Sequence, residues 1–117
     1  MRGVNVDRDL QGSVGLVTIS GELDLASVAE LRAALGDVAG RSRSVVVDVS
    51  DVSFIDSTAL AALLRSNDEL SSDGVPMVVA CPPAGAVRRL LVMTSLDDRL
   101  SLASDRERAL ARAQSAH

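Results

Sequence analysis

Val52-Ser53-Phe54-Ile55-Asp56-Ser57-Thr58-Ala59-Leu60-Ala61 places an Asp and two hydroxyls at the junction between an apolar strand-loop and a helix. Downstream, the spacing predicts a helix over 57–71, with Leu60, Leu63, Leu64, Asn67 and Leu70 along its inner side. Upstream, Val45-Val46-Val47 sits inside a run at 44–49 that reads as a strand buried on both faces. A doubly buried strand followed at once by an amphipathic helix is the start of a β-α-β crossover. It predicts a sheet that is at least partly parallel.

The rest of the chain agrees with that start. Residues 14–20 are apolar and β-branched, and Gly21 ends them, so they read as a strand. A shorter strand at 4–7 precedes it, joined by a turn through Asp9 and Gly12. A helix follows at 26–39, with Val28, Leu31, Leu35 and Val38 on one face, Asp24 at the N-cap and Gly40 closing it. Residues 75–81 read as a strand whose early Pro76 suits a strand start. Pro82-Pro83 then leads into a helix bearing Val87, Leu90 and Leu91, and 100–103 form a short last strand. Ser104-Asp105-Arg106-Glu107 has the pattern of a capping box and opens a terminal helix carrying Leu110. The expected order is β-β-α-β-α-β-α-β-α. This is one α/β domain over 1–117, with a four- to five-stranded mixed sheet, about four helices, a core at 4–110 and a disordered C-terminal tail.

Composition narrows the chemistry. Twelve basic and 16 acidic residues leave a net charge of −4 over 117 residues. Every basic residue is Arg, and Phe54 is the only aromatic. Single-stranded nucleic acid binders stack bases on aromatic platforms in a basic groove, and this chain offers neither. Without Lys there is no phosphate-binding P-loop. One Cys allows no internal disulfide and no cysteine-rich zinc site. The apolar stretch 75–87 is interrupted by Pro76, Pro82, Pro83 and Gly85, and a membrane span needs roughly 20 residues. Residues 1–10 lack the apolar centre of a signal peptide. The expectation is a cytoplasmic protein that touches neither nucleic acid nor membrane.

The candidate reactive residues are few. His117 is the sole His and lies at a terminus, so a Ser-His-Asp triad or Cys-His pair is not available. Cys81 ends an apolar strand and reads as a small buried hydrophobe. Asp48, Asp51 and Asp56 fall around the end of the third strand, with Asp24 nearby, where open α/β sheets place ligands. A two-component receiver would also need a Lys, which the chain lacks. The preferred reading is that Asp51 makes a turn and that Asp24 and Asp56 cap helices, with no metal and no cofactor. Arg88-Arg89 and the set Arg106, Arg108 and Arg112 read as solvated helix faces, the alternative being a docking edge. Either Ser57 or Asp56 is only an N-cap, or the hydroxyls of Ser57 and Thr58 stand where a phosphate is tolerated at a helix N-terminus; the residues alone do not choose.

The segment Asp56-Ser57-Thr58-Ala59-Leu60-Ala61 resembles the phosphoacceptor motif of the STAS domain family, specifically that of the bacterial anti-sigma factor antagonists, Asp-Ser-Ser/Thr-Gly-Leu-Gly. Gly21-Glu22-Leu23-Asp24 is similar to the family's Gly-Glu-Leu-Asp signature, and Val87-Arg88-Arg89-Leu90-Leu91 resembles its third-helix segment. Ala59 and Ala61 stand where the family usually has Gly, which adds two methyls near the acceptor.

The resemblance implies a binding module, not an enzyme. Unmodified, it would bind an anti-sigma factor that is also an ATP-using serine kinase, and so free the sigma factor. Phosphorylation at Ser57, with Thr58 as the second choice, would switch it off, and a phosphoprotein phosphatase would restore it. Asp24, Asp56, Ser57, Thr58 and Leu60 would form the partner-binding surface, where alanine substitutions should spare the melting temperature. The alternatives are a constitutively docking STAS subunit of a lipid-transport complex or stress-signalling scaffold, and a phosphoryl-handling enzyme. The expected state is a monomer or a weak homodimer through an exposed sheet edge.

Overall fold

The computed structural model describes residues 3–115. The strands are β1 (Val4–Gln11), β2 (Val14–Leu23), β3 (Ser44–Ile55), β4 (Met77–Ala80) and β5 (Ser101–Ala103). The helices are α1 (Val28–Ala39), α2 (Ser57–Ser72), α3 (Ala86–Met93) and α4 (Arg106–Gln114). The expected element order holds, with five strands in the spatial order β1-β2-β3-β4-β5. β1 is antiparallel to β2, and every later neighbour pair is parallel.

That strand order dictates the layers. The three parallel crossovers all step the same way across the sheet, and right-handed crossovers then put α1, α2 and α3 on one face. The main core lies there: Val17, Ile19, Val45, Val47 and Val79 of the sheet meet Leu31, Leu35, Leu60, Leu63, Val87 and Leu91 of the helices. Alternation sends Leu16, Val46 and Val78 to the other face, which α4 covers with Ala109 and Ala113. Val45, Val46 and Val47 all have 0% exposure, the doubly buried strand expected of that run.

Four strands depart from their expected bounds. Gly21 does not end β2; it has φ +92, a backbone that favours glycine, and a Cβ there would strike the carbonyl oxygen of Gly3. The pairing shifts register between Thr18 and Ser20 and again between Gly21 and Glu22, so the strand bends and continues. β3 follows it to Ile55, six residues beyond the expected end at 49. Asp51 therefore pairs with Ser20 inside the sheet instead of making a turn. β1 likewise runs through Asp9 to Gln11, and the turn falls at Gly12, with φ +63, and Ser13. β4 is shorter than 75–81, and Pro76 precedes it, its carbonyl accepting from the Val45 amide at 2.9 Å.

Two helix starts also differ. A 3-10 turn, Leu25–Ser27, precedes α1, and Asp24 caps that turn. The Ser104–Glu107 capping box does not form. Asp105 adopts the extended cap conformation and accepts from the Arg108 amide at 2.8 Å, which moves the helix start one residue on. On α2, Ser66 takes the buried place expected of Asn67, which is half-buried with Nδ2 3.5 Å from the Arg99 carbonyl. α4 continues to Gln114, past the expected core end at Leu110; residues 116 and 117, including His117 and the end of the expected tail, lie outside the described residues. Cys81 is fully buried as expected, and burial pushes its thiol pKa up despite the neighbouring Arg88.

Arg106, Arg108 and Arg112 are all exposed, as a solvated helix face is, but Arg106 and Arg112 also fasten α4 to the sheet. Arg106 donates from Nε to Asp48 Oδ2 at 2.7 Å and from Nη2 to Thr18 Oγ1 at 3.0 Å. Arg112 reaches Ser101 Oγ and the Leu102 carbonyl. Asp48 is 5% exposed, and burial alone would raise its pKa. The Ser50 hydroxyl and amide, at 2.6 and 2.9 Å, together with Arg106, outweigh burial and hold the carboxyl below its ordinary range. A carboxyl held low when folded stabilises the fold above its unfolded pKa, and that contribution is lost as pH falls through the folded value. Arg106→Ala should therefore cost about 1–3 kcal/mol at pH 7, and the gap from the parent should shrink in urea melts at pH 3. A gap that is unchanged in acid would mean Arg106 acts by packing alone.

Candidate functional site

The C-terminal ends of β2 and β3 deliver Asp24 and Asp56 side by side, each at the start of a helical segment. Asp56 has φ −96 and ψ 170, so its side chain turns back over α2. Its Oδ1 accepts from the Ala59 amide at 2.8 Å, and its Oδ2 accepts from the Leu25 amide at 3.2 Å. Its own amide donates to the Leu23 carbonyl at 3.2 Å. Asp24 Oδ1 accepts from the Ala26 amide and from Ser27 Oγ, both at 3.1 Å. One carboxylate thus caps α2 and ties the preceding turn to it. The two Asp residues were expected to cap helices, and both do.

Because Asp56 holds the cap, Ser57 and Thr58 are left with nothing structural to do. Both are exposed on the first turn of α2, and among the described residues neither hydroxyl has a hydrogen-bond partner. Their position is rich in unsatisfied amides and carries the positive end of the helix dipole. Leu60, expected both on the inner side of α2 and in the partner-binding surface, is only 2% exposed: it faces inward, as the helical period required, and belongs to the core beneath. Ala59 is wholly buried, so its methyl points into the protein and away from anything approaching Ser57. The other carboxylates do not join the site. Asp48 is locked under Arg106, and Asp51 is exposed within β3.

The sequence reading missed what flanks the site. On one side Gly3, Val4, Glu22, Asp24, Ala26 and Ser27 line a shallow depression. On the other, a groove of about 200 Å³ runs between the end of β3 and α3, lined by Ser53, Phe54, Ile55, Ala86, Arg89, Leu90 and Met93. Phe54 is 49% exposed, Leu25 67% and Met93 75%. The available signal was that the chain's only aromatic precedes the Asp-Ser-Thr run by two residues.

A five-stranded sheet of this order, helices mainly on one face and a hydroxyl-bearing helix start after the central strand, defines a small α/β domain of mixed sheet. The chain belongs to the STAS family: the STAS domain model matches residues 5–109. The structure is similar to an anti-sigma factor antagonist from Mycobacterium paratuberculosis, at 27% identity over 96% of this chain and 95% of that one, with TM-score 0.80. It shares its fold with the Bacillus cell fate determinant SpoIIAA in the phosphorylated form, at 20% identity over 92% and 98% of the two chains and TM-score 0.69. It shares it also with a sulfate transporter family protein from Wolinella succinogenes, at 16% identity over 92% and 90% and TM-score 0.75. Among the described residues no helix is long and apolar enough to cross a membrane.

Proposed function

We propose that this protein is an anti-sigma factor antagonist that works by binding and not by catalysis. Its unmodified form docks on a kinase-type anti-sigma factor in the cytoplasm and so releases the sigma factor. The kinase then transfers the γ-phosphoryl group of its own ATP to Ser57 Oγ; the hydroxyl gives up its proton and ADP leaves. A phosphoprotein phosphatase hydrolyses the ester and restores the hydroxyl.

The observation that carries this reading is the division of labour at the start of α2. Asp56 makes the cap, and the adjacent Ser57 hydroxyl is exposed and without a partner among the described residues. A group in that position can gain and lose a phosphate while the helix keeps its start. The likeness to SpoIIAA, a fold seen in a phosphorylated form, points the same way. The constitutively docking alternative has only the shared fold in its favour.

The test is phosphorylation by a kinase-type anti-sigma factor with ATP and magnesium, followed by peptide mass spectrometry. The phosphate is expected on the peptide holding Ser57 and Thr58, and Ser57→Ala should abolish most of it while binding persists. Ser57→Ala should also leave stability within about 0.5 kcal/mol of the parent, as for a surface position that makes no contact. This revises the expectation that the substitution removes a cap. Undiminished labelling at Thr58 would move the acceptor by one residue; no labelling at all would refute the switch.

A further inference from the structure

We propose that the docking face around Ser57 continues across Phe54 into the groove between β3 and α3, and that this groove takes an apolar side chain flanked by a carboxylate on the same kinase. The inference rests on the antagonist reading and adds a second contact to it.

The groove exists because β3 outruns its neighbour. β3 pairs with β4 only from Val45 to Asp48, and the residues after that pair with β2 alone. α3 lies along the projecting end, and the space between them is walled by Phe54, Leu90 and Met93. Large apolar side chains on a soluble domain's surface are unremarkable singly, but a grouped set beside a functional position marks a contact surface. Here the only aromatic in the chain and Met93, the most exposed large hydrophobic among the described residues, share one groove. Ile55 is part of the same lining, and Asp56 and Ser57 follow it directly in the chain, so α2 starts next to the groove.

Charge identifies the occupant. Arg89 lines the groove and donates from Nη2 to the Ala84 carbonyl at 3.3 Å, and among the described residues it forms no ion pair. An unpaired guanidinium in a chain of net charge −4 is complementary to a carboxylate beside the inserted apolar group. The face therefore runs from a carboxylate flank at Asp24 and Asp56, through Phe54 and Met93, to a cationic flank at Arg89. Such a pattern sets the register of a partner as well as its affinity.

The test uses the full chain and a purified kinase-type anti-sigma factor that phosphorylates it. Binding is measured by titration calorimetry for Phe54→Ser, Met93→Gln, Arg89→Glu and Arg89→Lys, with thermal melts and sedimentation of each variant alone. Phe54→Ser, Met93→Gln and Arg89→Glu should each weaken binding by about tenfold or more, as aromatic, apolar and Arg anchors do. Arg89→Lys should recover much of the loss, because the charge returns without the fork. Met93→Gln alters a largely exposed side chain, so it reads the contact even if Phe54→Ser disturbs the fold.

If the parent is phosphorylated and binds, yet these variants bind equally well, the groove proposal is overturned and the antagonist reading stands. If no such kinase modifies the parent, both fall together. If the variants instead abolish self-association of the chain, the groove belongs to a second copy and the proposal is overturned.

Discussion

Ser57→Asp should bind the kinase-type anti-sigma factor at least about tenfold more weakly than the parent, a loss of ~1.4 kcal/mol or more, and yet fold as well. The two halves of that result have different sources. Ser57 is the first residue of α2, where a carboxylate is favoured by the positive end of the helix dipole. The cap itself is made by Asp56, so nothing structural is displaced. The docking face, however, acquires a second carboxylate directly beside Asp56. On contact with the partner both must lose water, and an unpaired buried charge costs several kcal/mol. True phosphoprotein carries about −1.5 to −2 charges at this position, so its loss of affinity should exceed that of the Asp variant. Calorimetric titration of parent, Ser57→Asp and phosphoprotein checks the order; an Asp variant that binds like the parent refutes an electrostatic switch.

Asp56→Ala should behave in the opposite manner, with a clear loss of stability. Its carboxylate satisfies the Ala59 amide and, from the other oxygen, the Leu25 amide 31 residues earlier. Removing an N-cap costs ~0.5–2 kcal/mol, and the lost tie to Leu25 adds to it. For a domain of this size each kcal/mol is worth roughly 3–6 °C of melting temperature. A fall of several degrees is expected, against almost none for Ser57→Ala. This revises the idea that the Asp residues of the site can be altered without touching the fold. Weakened partner binding in Asp56→Ala therefore has to be compared with a variant such as Asp56→Asn, which keeps a capping acceptor. An unchanged melting temperature for Asp56→Ala would show that water replaces both hydrogen bonds at little cost.

The layers and the helix start at 57 were legible because they rest on local chemistry. Three consecutive valines between polar neighbours have few homes besides a doubly covered strand, and Asp before Ser-Thr at the head of a 3.6-residue period is a cap signal. What the sequence reading lost was the length of strands. Gly21 looks like a stop because glycine usually is one, yet here it supplies a positive φ for a bulge that lets β2 and β3 continue. Nothing local distinguishes these uses; the difference is whether a neighbour, the Gly3 carbonyl, occupies the place of a Cβ. Leu60 was read both as part of the inner side of α2 and as part of the surface around Ser57; its burial bears out the first, since the helical period sets it in line with the buried Leu63 and Leu70. The role of Arg106 depended on Asp48 and Thr18, far away in sequence, and so was invisible to any reading of the helix alone.

Sheet order also has a consequence in time. From β2 to β5 each strand lies beside its predecessor in the chain, so the sheet can assemble in the order a ribosome delivers it, one crossover after another. Each addition joins residues such as Val14 and Ser44, Val45 and Met77, or Val78 and Ser101, nearer in the chain than Thr18 and Arg106, and closure costs less the shorter the loop. α4 breaks the sequence. Its Arg106 reaches back to Thr18 across 88 positions, so its face of the sheet keeps Leu16, Val46 and Val78 uncovered until residues 106–114 arrive. The helix that finally covers them packs with Ala109 and Ala113, side chains small enough to settle on a finished surface without asking it to open. Strand order thus separates the nearer contacts, which build the start of α2, from the distant contacts of α4, which shield the back of the sheet.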